Sequence, residues 1–225
     1  LPQNFNSPYK ALTILDHWKR WHITLTRFLT KYIYIPLGGS RRGEARTYLN
    51  IMIVYLLSGL WHGAGWTYVC WGALHGLFCV LTRWGKRVFA RIPKALNWFI
   101  TFLFINLGFI IFRADSLGQA FSVIGRIFSF DFGPVHPDIY SGFQLTEVML
   151  PLSKLPFIGR FVYWPPMMML LFLAVCMFIV LVPKNAYEKM QRLQPRPLAL
   201  IGVLILLVWC IFSFGTVSAF LYFNF

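Results

Sequence analysis

Five stretches of this chain are each apolar over close to the roughly 20 residues that a helix needs to cross hydrocarbon. They are Thr47 to His62, Trp66 to Thr82, Ala95 to Phe112, Pro165 to Val182 and Leu198 to Val217. In that medium every backbone polar group must find its partner within protein, so the chain reads as an all-α polytopic integral membrane protein. About five transmembrane helices are expected in this portion, with amphipathic helices lying at the interfaces. Composition agrees: 58% of residues are hydrophobic and only 12% charged, and mean hydropathy is +0.62. A formal charge of +14 raises the question of nucleic acid, but Lys and Arg in so apolar a chain are explained by cytoplasmic loop charge.

That explanation is testable within the sequence. With residues 1–46 on the cytoplasmic side, five crossings place 83–94 and 184–197 there as well, and leave 113–164 and the C-terminus outside. Seventeen of the 21 basic residues then fall inside, against three of the seven acidic ones. This is the asymmetry of the positive-inside rule, and the reverse orientation violates it. The chain opens at Leu1 with no initiator Met and no leader pattern, so it reads as the C-terminal portion of something longer.

The first two spans are separated only by Gly63-Ala64-Gly65. The chain there either turns tightly at the far interface or breaks within the membrane, and both put a cavity beside His62. An ionisable side chain at that depth is costly to keep, so its default reading is functional. Ahead of the spans, Trp18, Trp21, Leu25, Phe28, Leu29 and Tyr32 recur at helical intervals while Arg20, Thr24, Arg27 and Lys31 collect opposite them. This predicts one amphipathic helix over Asp16 to Tyr32, resting on the inner interface against membrane lipids, with His22 on its buried face. Asp16 and Arg20, at i and i+4, read as helix support. Asn50 is a candidate polar partner near the inner end of its span. His75, beside Gly72 and Gly76, reads as a hydrogen bonder in a small-residue seam, and His17 and His136 as solvated. Trp61, Trp66 and Trp71 are packing residues that could also wall a channel. The four cysteines read as buried small hydrophobes.

Several ordered motifs narrow the field. Asp16-His17-Trp18-Lys19-Arg20-Trp21-His22-Ile23-Thr24-Leu25, Tyr34-Ile35-Pro36-Leu37-Gly38-Gly39, Ser58-Gly59-Leu60-Trp61-His62-Gly63-Ala64 and Trp71-Gly72-Ala73-Leu74-His75-Gly76 follow one another, with Phe112-Arg113-Ala114 and a terminal Phe220-Leu221-Tyr222-Phe223-Asn224-Phe225 further on. In this order they resemble the membrane-bound O-acyltransferase family, and within it the bacterial alginate O-acetyltransferase-like branch. The resemblance implies that residues 1–225 are the C-terminal portion of that family's membrane domain: 1–46 a cytoplasmic interfacial helix and loop, 47–82 a histidine-bearing helix pair, 95–112, 165–182 and 198–217 further spans, 113–164 an outer segment. It also implies a multi-pass enzyme of the bacterial inner membrane. Such an enzyme moves an acyl group, in the first place acetyl, from a cytoplasmic thioester donor such as acetyl-CoA or an acylated carrier. The receiving hydroxyls belong to an extracytoplasmic polysaccharide such as alginate, reached through a periplasmic or membrane-anchored acetyltransferase partner. The family's catalytic histidine corresponds to His62 and a second one to His22, with Trp61 and Asn50 as candidate substrate contacts.

The chemistry can be stated from the residue types alone. An alcohol is a poor nucleophile at neutral pH, and a positioned imidazole that removes its proton contributes about 10²- to 10⁴-fold in rate. His62 suits that role; His22 could orient the donor, donate to the oxyanion or relay the proton. No His-x-x-x-His or carboxylate cluster is present, so neither a metal nor a bound cofactor is expected, and the thioester enters as co-substrate. Ser58 lacks a Gly-x-Ser-x-Gly elbow. The alternative from another class is a transporter or scaffold subunit of an exopolysaccharide export complex, since broken helices and intramembrane histidines serve transporters as well.

Overall fold

The computed structural model describes residues 2–213 apart from 132, 134, 135, 142, 144, 145, 163 and 192–196. Among the described residues there are helices and irregular segments and no strand. The chain divides into two compact units, one through Pro183 and one from Lys184 onward. The terminal Phe220–Phe225 motif and the last residues of the expected 198–217 span lie outside the described residues.

The single helix expected over Asp16 to Tyr32 is two. Helix α1 (Ile14–Arg20) starts where the Thr13 hydroxyl accepts from the Asp16 amide at 3.1 Å. It is clasped by Arg20 Nε on Asp16 Oδ1 at 2.9 Å, as the spacing predicted. Trp21 then turns extended and His22 takes a left-handed conformation (φ 45°, ψ 52°), after which α2 (Ile23–Leu29) runs into a π-helical turn over Thr30–Tyr34. The break is stabilised from outside the segment. Asn6 donates its amide to the Arg20 carbonyl at 2.8 Å, and the Ile23 amide donates to the Asn4 carbonyl at 2.9 Å. Backbone groups that a continuous helix would pair internally are thus satisfied by the N-terminal strand of chain, which periodicity over 16–32 cannot register. The heavy aromatics do not share one interfacial face either: Trp18 is buried with its ring against Tyr55, Trp71 and His75.

Helices α3 (Glu44–His62) and α4 (Trp66–Trp84) form an antiparallel hairpin joined by Gly63–Gly65. Two glycines set its tightness. A Cβ at Gly59 would collide with the Tyr68 carbonyl, and one at Gly72 with the Tyr55 carbonyl, so the backbones touch where any larger residue would hold them apart. At the open end Arg83 closes the hairpin onto Glu44 with two hydrogen bonds of 3.1 and 3.2 Å. The short α5 (Lys86–Phe89) leads to α6 (Lys94–Arg113), which packs on α4, with Gly108 against His75. Trp98 Nε1 donates to the Tyr9 carbonyl at 2.8 Å and Thr101 Oγ1 to the Leu12 carbonyl at 3.2 Å, pinning the approach to α1 along α6.

Beyond α6 come the amphipathic α7 (Leu117–Ser129), capped by Ser116, then short helices α8 (Pro137–Ser141), α9 (Thr146–Ser153) and α10 (Gly159–Val162), and the apolar α11 (Pro165–Leu181). Lys10 Nζ reaches the carbonyls of Pro183 at 2.6 Å and Val182 at 3.3 Å, satisfying acceptors at the end of α11. The second unit holds α12 (Ala186–Gln191) and α13 (Pro197–Ser213).

Among the described residues α6 is the one helix both long and apolar enough to cross a membrane, with shorter apolar stretches at Pro166–Leu181 and Pro197–Phe212. Helices α3 and α4 have the length, at 19 residues each, but Thr47, Asn50, Ser58, Thr67, His75 and Thr82 dilute them. All six are buried between elements, which is where a membrane protein keeps its polar groups. Two further expectations change. His17 is 4% exposed and not solvated. Of the cysteines only Cys79 is buried, while Cys176 and Cys210 are exposed on the apolar α11 and α13.

Candidate active site

The hairpin turn and the broken N-terminal helix meet at one place. His62 is the last residue of α3, released from the helix by Gly63. Its half-buried ring stands edge-on to Phe112 of α6 at 4.9 Å and to Trp71 of α4 at 5.6 Å, with Trp61 at 4.8 Å. Among the described residues no protein group hydrogen-bonds this imidazole.

His22 arrives from the opposite side because the chain breaks there. Its ring lies 6.2 Å from Phe5 and 6.3 Å from Trp61, the indole that also packs on His62. Partial burial holds its pKa below the ordinary histidine value, which keeps the neutral form available at neutral pH. Trp61 is 63% exposed and lies against both imidazoles. Segments forty residues apart in sequence therefore put two imidazole rings around one indole.

Asn50 stands elsewhere. Twelve residues before His62 on α3, about 18 Å at the helical rise, it donates Nδ2 to the carbonyls of Gly39 at 2.9 Å and Leu37 at 3.3 Å. There it secures the Pro36–Gly39 turn that follows the π-helical segment. His75 is sealed in the interior, and among the described residues neither of its ring nitrogens has a hydrogen-bond partner, so the bond expected of it in the small-residue seam is not seen there.

Two residues of the site carried little signal in the sequence. Phe112 belongs to a motif, but nothing in one helix tells which ring it will cover. Asn4 Oδ1 accepts from the Thr24 amide at 3.2 Å and the Thr24 hydroxyl at 2.8 Å, and lies 3.3 Å from His22 Nδ1. Asparagine before an aromatic-rich segment looks like any polar terminal residue.

Two cavities lie along the hairpin, and neither His62 nor His22 lines either of them. A narrow cavity of about 190 Å³ runs between α2 and α3, lined by Leu25, Thr30, Tyr34, Val54 and Ser58, the last one turn from His62. A wider one of about 750 Å³ lies at the Glu44–Arg83 end of the hairpin, bordered by Lys19, Tyr48, Trp84 and Lys86. Two imidazoles among aromatic side chains are groups of the kind that can accept a proton from an alcohol as it meets an acyl carbonyl.

The sequence profile of MBOAT, the membrane-bound O-acyltransferase family, matches residues 1–117. The chain belongs to that family. It is 52% identical over 128 residues to the peptidoglycan O-acetyltransferase of Helicobacter pylori, covering 55% of this chain and 24% of that protein. It is 39% identical over 161 residues to the probable alginate O-acetylase AlgI of Pseudomonas aeruginosa, covering 70% and 31%. To the protein of the same description from Azotobacter vinelandii it is 42% identical over 163 residues, covering 72% and 32%. The chain thus spans about a quarter to a third of the length of these relatives. It is a membrane protein of the family, and the resemblance read from its ordered motifs is to the relatives found.

Proposed function

We propose that this protein is an O-acyltransferase of the bacterial inner membrane that carries acetyl groups from a cytoplasmic thioester to hydroxyls of a cell-envelope glycan. The reading rests above all on the meeting of His62 and His22 beside Trp61 in a chain of this family. His62 takes the proton of the attacking hydroxyl. The C–O bond forms as the C–S bond breaks, and the proton ends on the departing sulfur as a free thiol. The donor approaches from the Glu44–Arg83 end, where Lys19 and Lys86 border the wide cavity. The hydroxyl, on the glycan or on a periplasmic or membrane-anchored partner that hands the acetyl on, approaches from the hairpin tip. The relatives' acceptors, peptidoglycan and alginate, are the two glycans to test first. The tie between Lys10 and the end of α11 supports the multi-pass topology, since it brings residue 183 to the side of the N-terminal basic segment.

The decisive experiment expresses the whole protein with His62→Ala, verifies membrane insertion, and measures ester content and export of the envelope polysaccharide. Loss of ester with intact export is expected. Esters retained, or export lost while the remaining polymer keeps its esters, would replace the enzyme with a transporter or scaffold.

A further inference from the structure

We propose that Asn4 is a positioning residue that fixes His22 as the Nδ1–H tautomer and so makes its Nε2 a proton acceptor in the transfer; this rests on the acyltransferase reading above. The argument turns on which atom of the Asn4 amide faces His22. A backbone amide only donates, and the Thr24 amide points at this atom from 3.2 Å, so the atom is the oxygen. The Thr24 hydroxyl, 2.8 Å away, donates to it too. An oxygen accepts, and therefore the His22 nitrogen 3.3 Å from it, Nδ1, must carry a hydrogen. In the neutral ring the other nitrogen then bears the lone pair.

This separates the roles open to His22. A neutral imidazole with its hydrogen on Nδ1 has none on Nε2 to give to an oxyanion, but it can receive one there. His22 is thus the second proton site of the pair. The proton that His62 strips from the hydroxyl passes to His22 Nε2 and from there to the thiolate released when the C–S bond breaks, so that ester and thiol leave and both rings return neutral. The backbone arrangement serves the same end. The left-handed conformation at His22 is uncommon and strained for a residue with a side chain, and Asn4 supports it on both sides, with its carbonyl on the Ile23 amide and its side chain on Thr24. Asn4 therefore helps Asn6 hold the bend that delivers the ring, and itself selects the nitrogen that reacts.

The test begins with the wild-type whole protein in lipid, carrying ¹⁵N-labelled histidine and assigned by comparison with His22→Gln. Nitrogen shifts of a protonated Nδ1 and a bare Nε2 are expected; a protonated Nε2 in the neutral ring overturns the proposal. Acetyl transfer is then measured against pH in two variants. Asn4→Asp keeps the acceptor and adds a charge that favours the imidazolium, so transfer persists and the acid limb of its pH profile moves to higher pH. Asn4→Leu removes the acceptor and lowers transfer about 10²-fold, with no further loss on adding His22→Gln. An unshifted profile in Asn4→Asp, or full activity in Asn4→Leu, overturns it. Should Asn4→Leu not fold, the nitrogen shifts and the Asn4→Asp profile decide. A wild-type protein without transferase activity removes the function reading instead, and the tautomer is still read from its shifts.

Discussion

His62 and His75 stand thirteen residues apart on one hairpin, each followed by glycine, in opposite surroundings. His62 sits at the tip, half-buried, with Trp61 between it and the second imidazole of His22. His75 is 2% exposed, walled by Trp71 at 4.5 Å, Phe104 at 5.0 Å and Trp18 at 5.3 Å, and pressed on Gly108. The same indole, Trp71, packs on both. What separates them is depth along the hairpin: His62 ends α3 at the tip, and His75 is walled in along α4. On the proposed function, chemistry belongs to the hairpin tip and the interior holds that tip in place.

The contrast breaks most completely if the helices part. Gly72→Leu sets a side chain against the Tyr55 carbonyl midway between the two histidines, where backbone cannot repack. Overpacking of this kind costs at least about 3 kcal/mol, so the variant should fail to accumulate as folded protein, read by membrane yield and protease resistance. Gly72→Ala should be the milder member of the series. Normal accumulation of Gly72→Leu would mean that the close approach of α3 and α4 is not what positions the tip.

A second, smaller effect isolates the interior. His17, stacked on Trp21 and bonded through Nδ1 to the Pro8 carbonyl at 3.3 Å, has its pKa pushed down by burial to about 4 from 6.5. The unfolded chain takes up this proton near pH 6.5 and the folded one only near 4, so across that window the unfolded state binds more protons. Stability is full above the upper value and falls as pH drops towards the lower, by up to about 3 kcal/mol. Thermal midpoints of the lipid-embedded protein should decline from pH 7 to pH 4, and His17→Phe should flatten the decline. An unchanged slope in that variant would place the acid sensitivity elsewhere.

How much of this was legible beforehand follows from the range of each interaction. The hairpin and its turn were readable, because apolar length and the glycines of residues 63–65 are local signals. His62 stood out for the same reason. The break at His22 was not, since its cause is the hydrogen bonding of Asn4 and Asn6, fourteen or more residues away, and helical periodicity over Trp18, Trp21, Leu25 and Phe28 survives almost unaltered through the bend. His17 misled because it lies beside Asp16 and Lys19, whose charges mark a wet face, whereas α1 is covered on the His17 and Trp18 side. The count of spans is a related matter: α3 and α4 bury polar residues against their neighbours, which lowers their apolarity, and among the described residues only α6 is both long and apolar enough to cross.

The smallest effect concerns His75 itself and tests the contrast at its weaker side. Among the described residues both ring nitrogens are buried without a partner, and desolvating such groups unpaired costs about 1–3 kcal/mol. Trp18 Nε1, whose ring meets His75 edge-on, is also unpaired. His75→Leu keeps nearly the same volume and removes the polar atoms. If the interior is a packing element only, the variant should retain transfer and gain about 1 kcal/mol in stability, seen as a thermal midpoint raised by a few degrees. A midpoint that falls by an equivalent amount, with transfer preserved, would show that His75 has a partner in the folded protein, such as a buried water shared with Trp18. A loss of transfer as large as that expected of His62→Ala would be the more serious result, because it would extend the reacting site inward along α4 and end the division between tip and interior.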